Sequence, residues 1–453
     1  MNALTTTGDA TVGGDLSANT MSSTTLTTSG DVNVGGDLTI PDQYYVANQL
    51  GTDLVSTEQG ANFGGSVSLN AQGNIMAIGS RLEDLGGSTY PDAGTVRIFR
   101  FENSTWNVIG SLDERSSNGS NYKFGRSVKL NGDGTRVAVM AERSDLMGET
   151  RIYQYNSDNN WSQIGNTINQ PSNEKYKGIA LSFNFSGDIL ALGSQFEQNG
   201  NYGSVRIYRY NNTTWDEIGF LEKNNGTEFT RFSQEIDMNR EGTKIIIGEP
   251  NDSDSSGNIY IYEYISDNNW NETHNFQGTT NTSNAGGSVS MSLDGNVIAF
   301  SDEDSNGLDL VRVFKYNGQD WNDIGRIEVG NNIFFKKGIS LNQDGTVLGI
   351  AGSDTDDSIV IYKYNNNKWH LMTSLHIGES TLSLSSNGLI LAVGSYWVNS
   401  NAGRVKVYNF QEKQESLNER LRQLERYLSI ALANSNYSQD NYLGSRFTTG
   451  KFI

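Results

Sequence analysis

Short apolar runs, broken by glycine-containing turns, recur along most of the chain. One unit reads Ser66-Val-Ser-Leu69, a turn, Ile75-Met-Ala-Ile78-Gly79-Ser80, a variable loop, Gly94-Thr-Val-Arg-Ile-Phe99, and then Trp106-Asn-Val-Ile-Gly110. Runs this short, bounded by turn residues, predict strands. The turn glycine returns at Gly134, Gly187, Gly242, Gly295, Gly345 and Gly388 after Gly73, and the trailing tryptophan at Trp106, Trp161, Trp215, Trp270, Trp321 and Trp369. Units of four strands at periods of ~40–50 residues are the pattern of propeller blades. The prediction is an all-β, seven-bladed propeller over residues 44–411.

Each piece has a local cause. Asn131-Gly132-Asp133-Gly134 and Asn342-Gln343-Asp344-Gly345 separate apolar runs, as tight hairpin turns with positive φ require. The third strand, as in Val205-Arg206-Ile207-Tyr208-Arg209-Tyr210, alternates only weakly, which fits a sheet covered on both faces. An Asn-rich stretch such as Tyr364-Asn365-Asn366-Asn367 precedes each tryptophan strand and reads as a second turn. The seventh copy lacks a tryptophan strand. Tyr44-Tyr-Val-Ala-Asn-Gln-Leu50-Gly51, ahead of the first blade, resembles the missing piece and is expected to complete the last blade, closing its open edge.

Both ends differ from this middle. Leu4-Thr-Thr-Thr-Gly8-Asp9 through Gly14-Asp15-Leu16 returns 22 residues later as Leu26-Thr-Thr-Ser-Gly30-Asp31 through Gly36-Asp37-Leu38. Residues 1–40 are therefore expected to form a β-repeat shaft wound with the same segment of neighbouring subunits; a plain linker is the alternative. Leu417, Leu421, Leu424, Leu428 and Ala431 step 4-3-4-3 through residues 412–433. That spacing predicts a short coiled-coil helix, or an amphipathic helix lying on the propeller rim. Residues 434–453 give no pattern.

Composition narrows the function. The chain has 453 residues, 50 Gly, 4 Pro and no Cys, so disulfides and Cys-ligated metals are excluded. Its net charge is −19, which disfavours nucleic-acid phosphates as partners. No Lys or Arg precedes Arg81, so no signal or transit peptide is expected. No apolar run approaches the ~18 residues of a membrane helix, and no membrane insertion is expected.

The repeated Gly-x-Ser-Val-x-Leu, Ala-x-Gly-Ser, Val-Arg-Ile-Tyr and Trp-x-x-Ile-Gly elements resemble FG-GAP-like and kelch-like propeller repeats over residues 44–411. The Gly-Asp-x-x-Val-Gly-Gly-Asp-Leu copies are similar to shaft segments of fibre and spike proteins of large algal DNA viruses and bacteriophages. That resemblance implies a homotrimeric structural protein at the virion surface. Its N-terminus would meet capsid proteins, and its head would bind a host-surface glycan or protein. The alternatives are a cytoplasmic protein-binding propeller scaffold and a carbohydrate-active enzyme.

Candidate chemistry is sparse. His274, His370 and His376 fall at unrelated repeat positions, and no nucleophile or phosphate-binding motif is present, so neither an enzyme nor a cofactor is expected. Asp252 to Glu263 matches the spacing of a calcium loop. A strand follows it where a helix should, and solvated turns explain it and the acidic Asp302–Asp304 and Asp354–Asp357 loops more simply. The loops between second and third strands share a face with the inter-blade loops. Tyr90, Tyr202, Tyr396 and Trp397 in them are the candidate ligand-binding residues. Trp397 stands outside the repeated tryptophan register, and exposed rings beside Asn, Ser and Gly suit stacking on sugars. Packing on adjoining loops is the competing explanation for these rings.

Overall fold

A computed structural model describes residues 45–412, except 86–89, 114–121, 143–147, 158, 171–179, 195–202, 224–230, 251–255, 281–282, 332–337, 353–357 and 378–380. It also describes four three-residue strands ahead of them. Seven antiparallel sheets follow one another at 63–113, 127–169, 181–222, 236–277, 289–331, 339–376 and 381–412, each with its strands side by side in chain order. Tyr45–Gln49 joins the seventh sheet beside Arg404–Glu412, so the strand from before the first blade completes the last.

Closure is visible in one ring of main-chain hydrogen bonds. Ala71 N donates to Gly132 O, Gly132 N to Phe185 O, Phe185 N to Arg240 O, Arg240 N to Leu293 O, Leu293 N to Gln343 O, Gln343 N to Ser386 O, and Ser386 N back to Ala71 O. All seven bonds measure 2.7–3.0 Å, and each joins the first hairpin turn of one blade to that of the next. The fold is a seven-bladed β-propeller.

The turns that carry this ring explain the sequence periodicity. Their glycines, from Gly73 to Gly388, all sit at φ between 70° and 76°, a region costly for residues with a Cβ. A side chain at the head of each turn accepts from the strand that follows. Asn70 Oδ1 takes Ile75 N at 2.9 Å, Asn184 Oδ1 takes Ile189 N at 2.9 Å, and Ser385 Oγ takes Ile390 N at 3.0 Å.

There is no single core. Seven buried clusters lie between successive blades. One joins Ile98 and Ile109 to Val137 and Trp161, and another joins Val405 and Val407 of blade 7 to Met76 and Trp106 of blade 1. A blade buries both faces, so Ile75–Ser80 and Ile189–Ser194 are buried at every position. The fourth strands of blades 2 and 7 are each broken in two near a glycine at positive φ, Gly165 and Gly51. The second pieces, Ile168–Asn169 and Leu54–Val55, return to the same third strand.

Ahead of the propeller, Ala3–Thr5 runs parallel to Thr20–Ser22, and Ala10–Val12 parallel to Leu26–Thr28. The copies of the 22-residue repeat do not pair like with like: Leu4 faces Met21, and Leu26 faces Ala10. Most of the expected shaft, the expected helix beyond Glu412 and the 434–453 tail lie outside the described residues.

Candidate ligand-binding mouth of the propeller

First strands surround the axis and enclose a cavity of about 1190 Å³. At one equivalent position of the first strands five blades carry serine, Ser68, Ser182, Ser290, Ser340 and Ser383, and all of these but Ser182 are on the cavity lining. These hydroxyls also tie blades together. Ser68 Oγ accepts Leu130 N at 3.0 Å, Ser290 Oγ accepts Leu341 N at 3.0 Å, and Ser383 Oγ accepts Leu69 N at 3.0 Å.

The other two blades place Lys129 and Asp237 at this position. Lys129 Nζ reaches to 4.0 Å from Asp237 Oδ1 across the intervening blade 3. Asp237 is held by several donors: Ser182 Oγ at 3.1 Å, Ser290 Oγ at 3.3 Å and Met291 N at 3.0 Å. Glu235, one layer nearer the mouth, is half-buried. Burial pushes its carboxyl up to about 7, with Lys129 opposing that shift and Asp237 adding to it.

The mouth itself is built by the loops expected to share one face. Gly60 N donates to Ser400 O at 3.1 Å, Asn62 N to Asn401 O at 2.9 Å and Phe63 N to Ala402 O at 3.1 Å. The inter-blade segment before blade 1 is thereby zipped to the second-to-third loop of blade 7. That loop carries Tyr396 and Trp397, both on the cavity lining. Their ring centroids are 4.0 Å apart, with planes inclined at 33°, and Trp397 is 54% exposed. A single turn at Val398–Asn401 follows, in which Asn399, Ser400 and Asn401 stand at φ 55°, 58° and 62°. Three successive non-glycine residues in the left-handed region cost about 1–2 kcal/mol each. Asn tolerates that region best, and the three bonds to 60–63 hold the turn there.

The remaining candidates separate. Tyr90 closes a small bridge with Leu85 at the loop tip of blade 1, half-buried and off the cavity lining. Tyr202 lies outside the described residues. Asp252 and Asp254 of the calcium-spaced loop lie outside them too, whereas Glu263 is fixed in the ladder with Lys244 Nζ 3.0 Å from its Oε1. Asp302 takes Arg312 Nη1 at 3.2 Å and Thr279 Oγ1 at 2.5 Å, and Asp304 accepts Asn306 N and Leu308 N to close its own turn. Among the described residues, no three His, Asp or Glu converge as metal ligands. His274 sits on a fourth strand opposite Ile261, where blades 1 and 3 carry Gly110 and Gly219. Its ring lies edge-on to Trp321 at 5.9 Å. Lys129 and Asp237 escaped the sequence reading, although they are the two departures from a serine register.

No family model matches the chain, and no curated protein matches it in sequence. Solved structures do resemble it. A chain of the mitotic checkpoint complex shares 12% identity at a TM-score of 0.54, covering 85% of this chain and 99% of that one. Hydrazine synthase of Kuenenia stuttgartiensis gives 11% identity and a TM-score of 0.52, over 78% and 96% of the two chains. The C-terminal WD40 domain of Sif2 gives 14% identity and 0.50, over 81% and 99%. Identities this low bear on the fold alone. One of these proteins is an enzyme and another a WD40 domain, so the propeller does not decide between catalysis and binding.

Proposed function

We propose that the chain is a structural attachment protein whose propeller head binds a host-surface glycan at the axial mouth, beside Tyr396 and Trp397. One observation carries this reading: a tryptophan outside the blade register is half exposed, paired with a tyrosine, and backed by a strained turn over a polar cavity. Strain of this kind is kept where surrounding structure holds it for a purpose, and an aromatic face beside hydroxyls and amides suits the apolar face of a sugar.

The FG-GAP-like and kelch-like character of the repeats, and the fibre-like shaft of residues 1–40, extend the proposal. The protein is then a virion fibre or spike, trimeric through its terminal segments, and it multiplies weak contacts by avidity.

The test is titration calorimetry of the full chain with oligosaccharides displayed on host cells, repeated with Trp397→Ala. Binding that is lost in the variant, at unchanged melting temperature, supports the assignment. Binding that survives places the site elsewhere. Capture of a protein partner with no glycan affinity moves the assignment to a scaffold. Release of cleaved sugar moves it to an enzyme, with Glu235 the carboxyl that retains its proton near neutrality.

A further inference from the structure

Beside the aromatic pair, the joint between blades 7, 1 and 2 gathers cations. Asn62, whose N–H is bonded to Asn401 O in the Trp397 loop, accepts Arg81 Nε on its Oδ1 at 3.2 Å. Gly65 N returns to Asn62 O at 3.1 Å, and a Cβ on Gly65 would lie 4.0 Å from Tyr396 Cβ. Arg81 is thus held on the same short turn that backs Tyr396. On its other side, the second strand of blade 1 and the segment leading into blade 2 touch through their main chains. A Cβ at Gly79 would fall 2.0 Å from Gly125 O. That contact brings Arg81, two residues after Gly79, close to Arg126, one residue after Gly125, and Arg126 lines the mouth.

Acidic groups stand on the same segments, Glu83 paired with Arg97 and Glu58 Oε1 accepting Asp84 N at 2.7 Å, and the two arginines are unequally partnered. Arg126 Nε lies 3.1 Å from Glu142 Oε2, and Lys123 Nζ lies 3.0 Å from Glu142 Oε1, so one carboxylate serves two cations. Arg81 makes no ion pair among the described residues. The two guanidiniums repel each other: burial lowers the proton affinity of Arg126, Glu142 opposes that, and Arg81 lowers it further. In a chain of net charge −19, two neighbouring arginines at the edge of the mouth, one of them outside any ion pair among the described residues, stand out.

We propose that Arg81 and Arg126 form an anion subsite adjoining Tyr396 and Trp397, and that the ligand of the head is an acidic saccharide whose carboxylate or sulfate sits on these guanidiniums. An incoming anion relieves the like-charge contact, and arginine's planar fork matches either group with paired, charge-assisted hydrogen bonds. The aromatic pair then holds the sugar ring while the arginines select its charge. This inference rests on the glycan reading above.

The experiment titrates the full chain with three probes: an oligogalacturonate, a sulfated galactan oligosaccharide and an uncharged galactan oligosaccharide of the same length. Wild type, Arg81→Gln and Trp397→Ala are compared. The expected result is at least one acidic probe bound about tenfold more tightly than the neutral one. That margin shrinks in Arg81→Gln and falls as NaCl rises from about 50 to about 500 mM. Trp397→Ala should weaken charged and uncharged probes alike, and the better of the two acidic probes tells carboxylate from sulfate. Equal affinity for neutral and acidic probes, or an acid preference untouched in Arg81→Gln, overturns the anion subsite while leaving the glycan site standing. No affinity for any probe removes both.

Discussion

Trp106 Nε1 donates to Leu50 O at 3.1 Å, although Leu50 directly follows the strand that opens the propeller and Trp106 belongs to the outer strand of its first blade. The same bond links Trp161 to Ile109, Trp215 to Ile164 and Trp270 to Ile218, at 3.0–3.2 Å. Leu50 therefore stands where the fourth strand of a preceding blade would stand. Chain start and chain end meet in one sheet, and no blade is left with a bare third strand.

Removing residues 45–51 should open that sheet. The deletion exposes the edge of Arg404–Glu412 and uncovers Tyr408 and Phe410, which pack with Tyr45 and Ala47. A fall in Tm of at least about 5 °C is expected by calorimetry. An unchanged Tm would show that the strand does not close the ring.

The tryptophan ladder is uneven, and the unevenness is measurable. Trp161 has its hydrogen bond, whereas the buried Nε1 atoms of Trp321 and Trp369 find no partner among the described residues. Trp161→Phe strands the Ile109 carbonyl and should cost about 1–2 kcal/mol more than Trp321→Phe, measured by denaturant unfolding. Equal costs would mean that the bond adds nothing to the packing of the ring.

Close backbone approach should make Gly79 intolerant. A methyl there meets a carbonyl oxygen at 2.0 Å, and nearby main chain cannot yield as a flexible side chain can. Gly79→Ala should lose about 3 kcal/mol or more. Gly60→Ala, at φ +83° with nothing within 4 Å, should lose only about 1 kcal/mol from its backbone conformation.

Glu235 sets a pH dependence. Its folded value, about 7, lies above the ordinary 4.5, so the folded state holds the proton more tightly than the unfolded chain. Its contribution is complete below about pH 4.5 and is lost as pH rises through about 7. Lys129 and Asp237 are the charged groups that face it. Glu235→Gln should therefore raise the Tm at pH 8 by a few degrees and leave it nearly unchanged at pH 4. A variant that parallels wild type across this range would contradict the assignment.

Assembly is tested by light scattering on the full chain beside residues 45–411. A fibre gives three copies of the 49.8 kDa chain, and the isolated propeller gives one. A full-length monomer would remove the support that residues 1–40 lend to the fibre proposal.

Blade number, turn positions and the strand that closes the ring were all legible in the chain. Each depends on a repeated local demand: a glycine where φ must be positive and an Asn or Ser to cap the turn, seven times each, and a tryptophan one outer strand later, six times. Trp397 was legible as an exception to that register, whereas its exposure was not, since packing on adjoining loops explained the ring equally. What lies at the axis was not. Lys129 and Asp237 are 4.0 Å apart because the curvature of the ring turns middle residues of separate blades toward one cavity. Tyr90 and Tyr396 occupy comparable loops, yet only Tyr396 reaches the mouth, and Arg81 joins it through Asn62 across the seam between the last blade and the first. Periodicity records what every blade shares. Contacts between unlike blades depend on closure of the whole ring, and only the tertiary structure decided them.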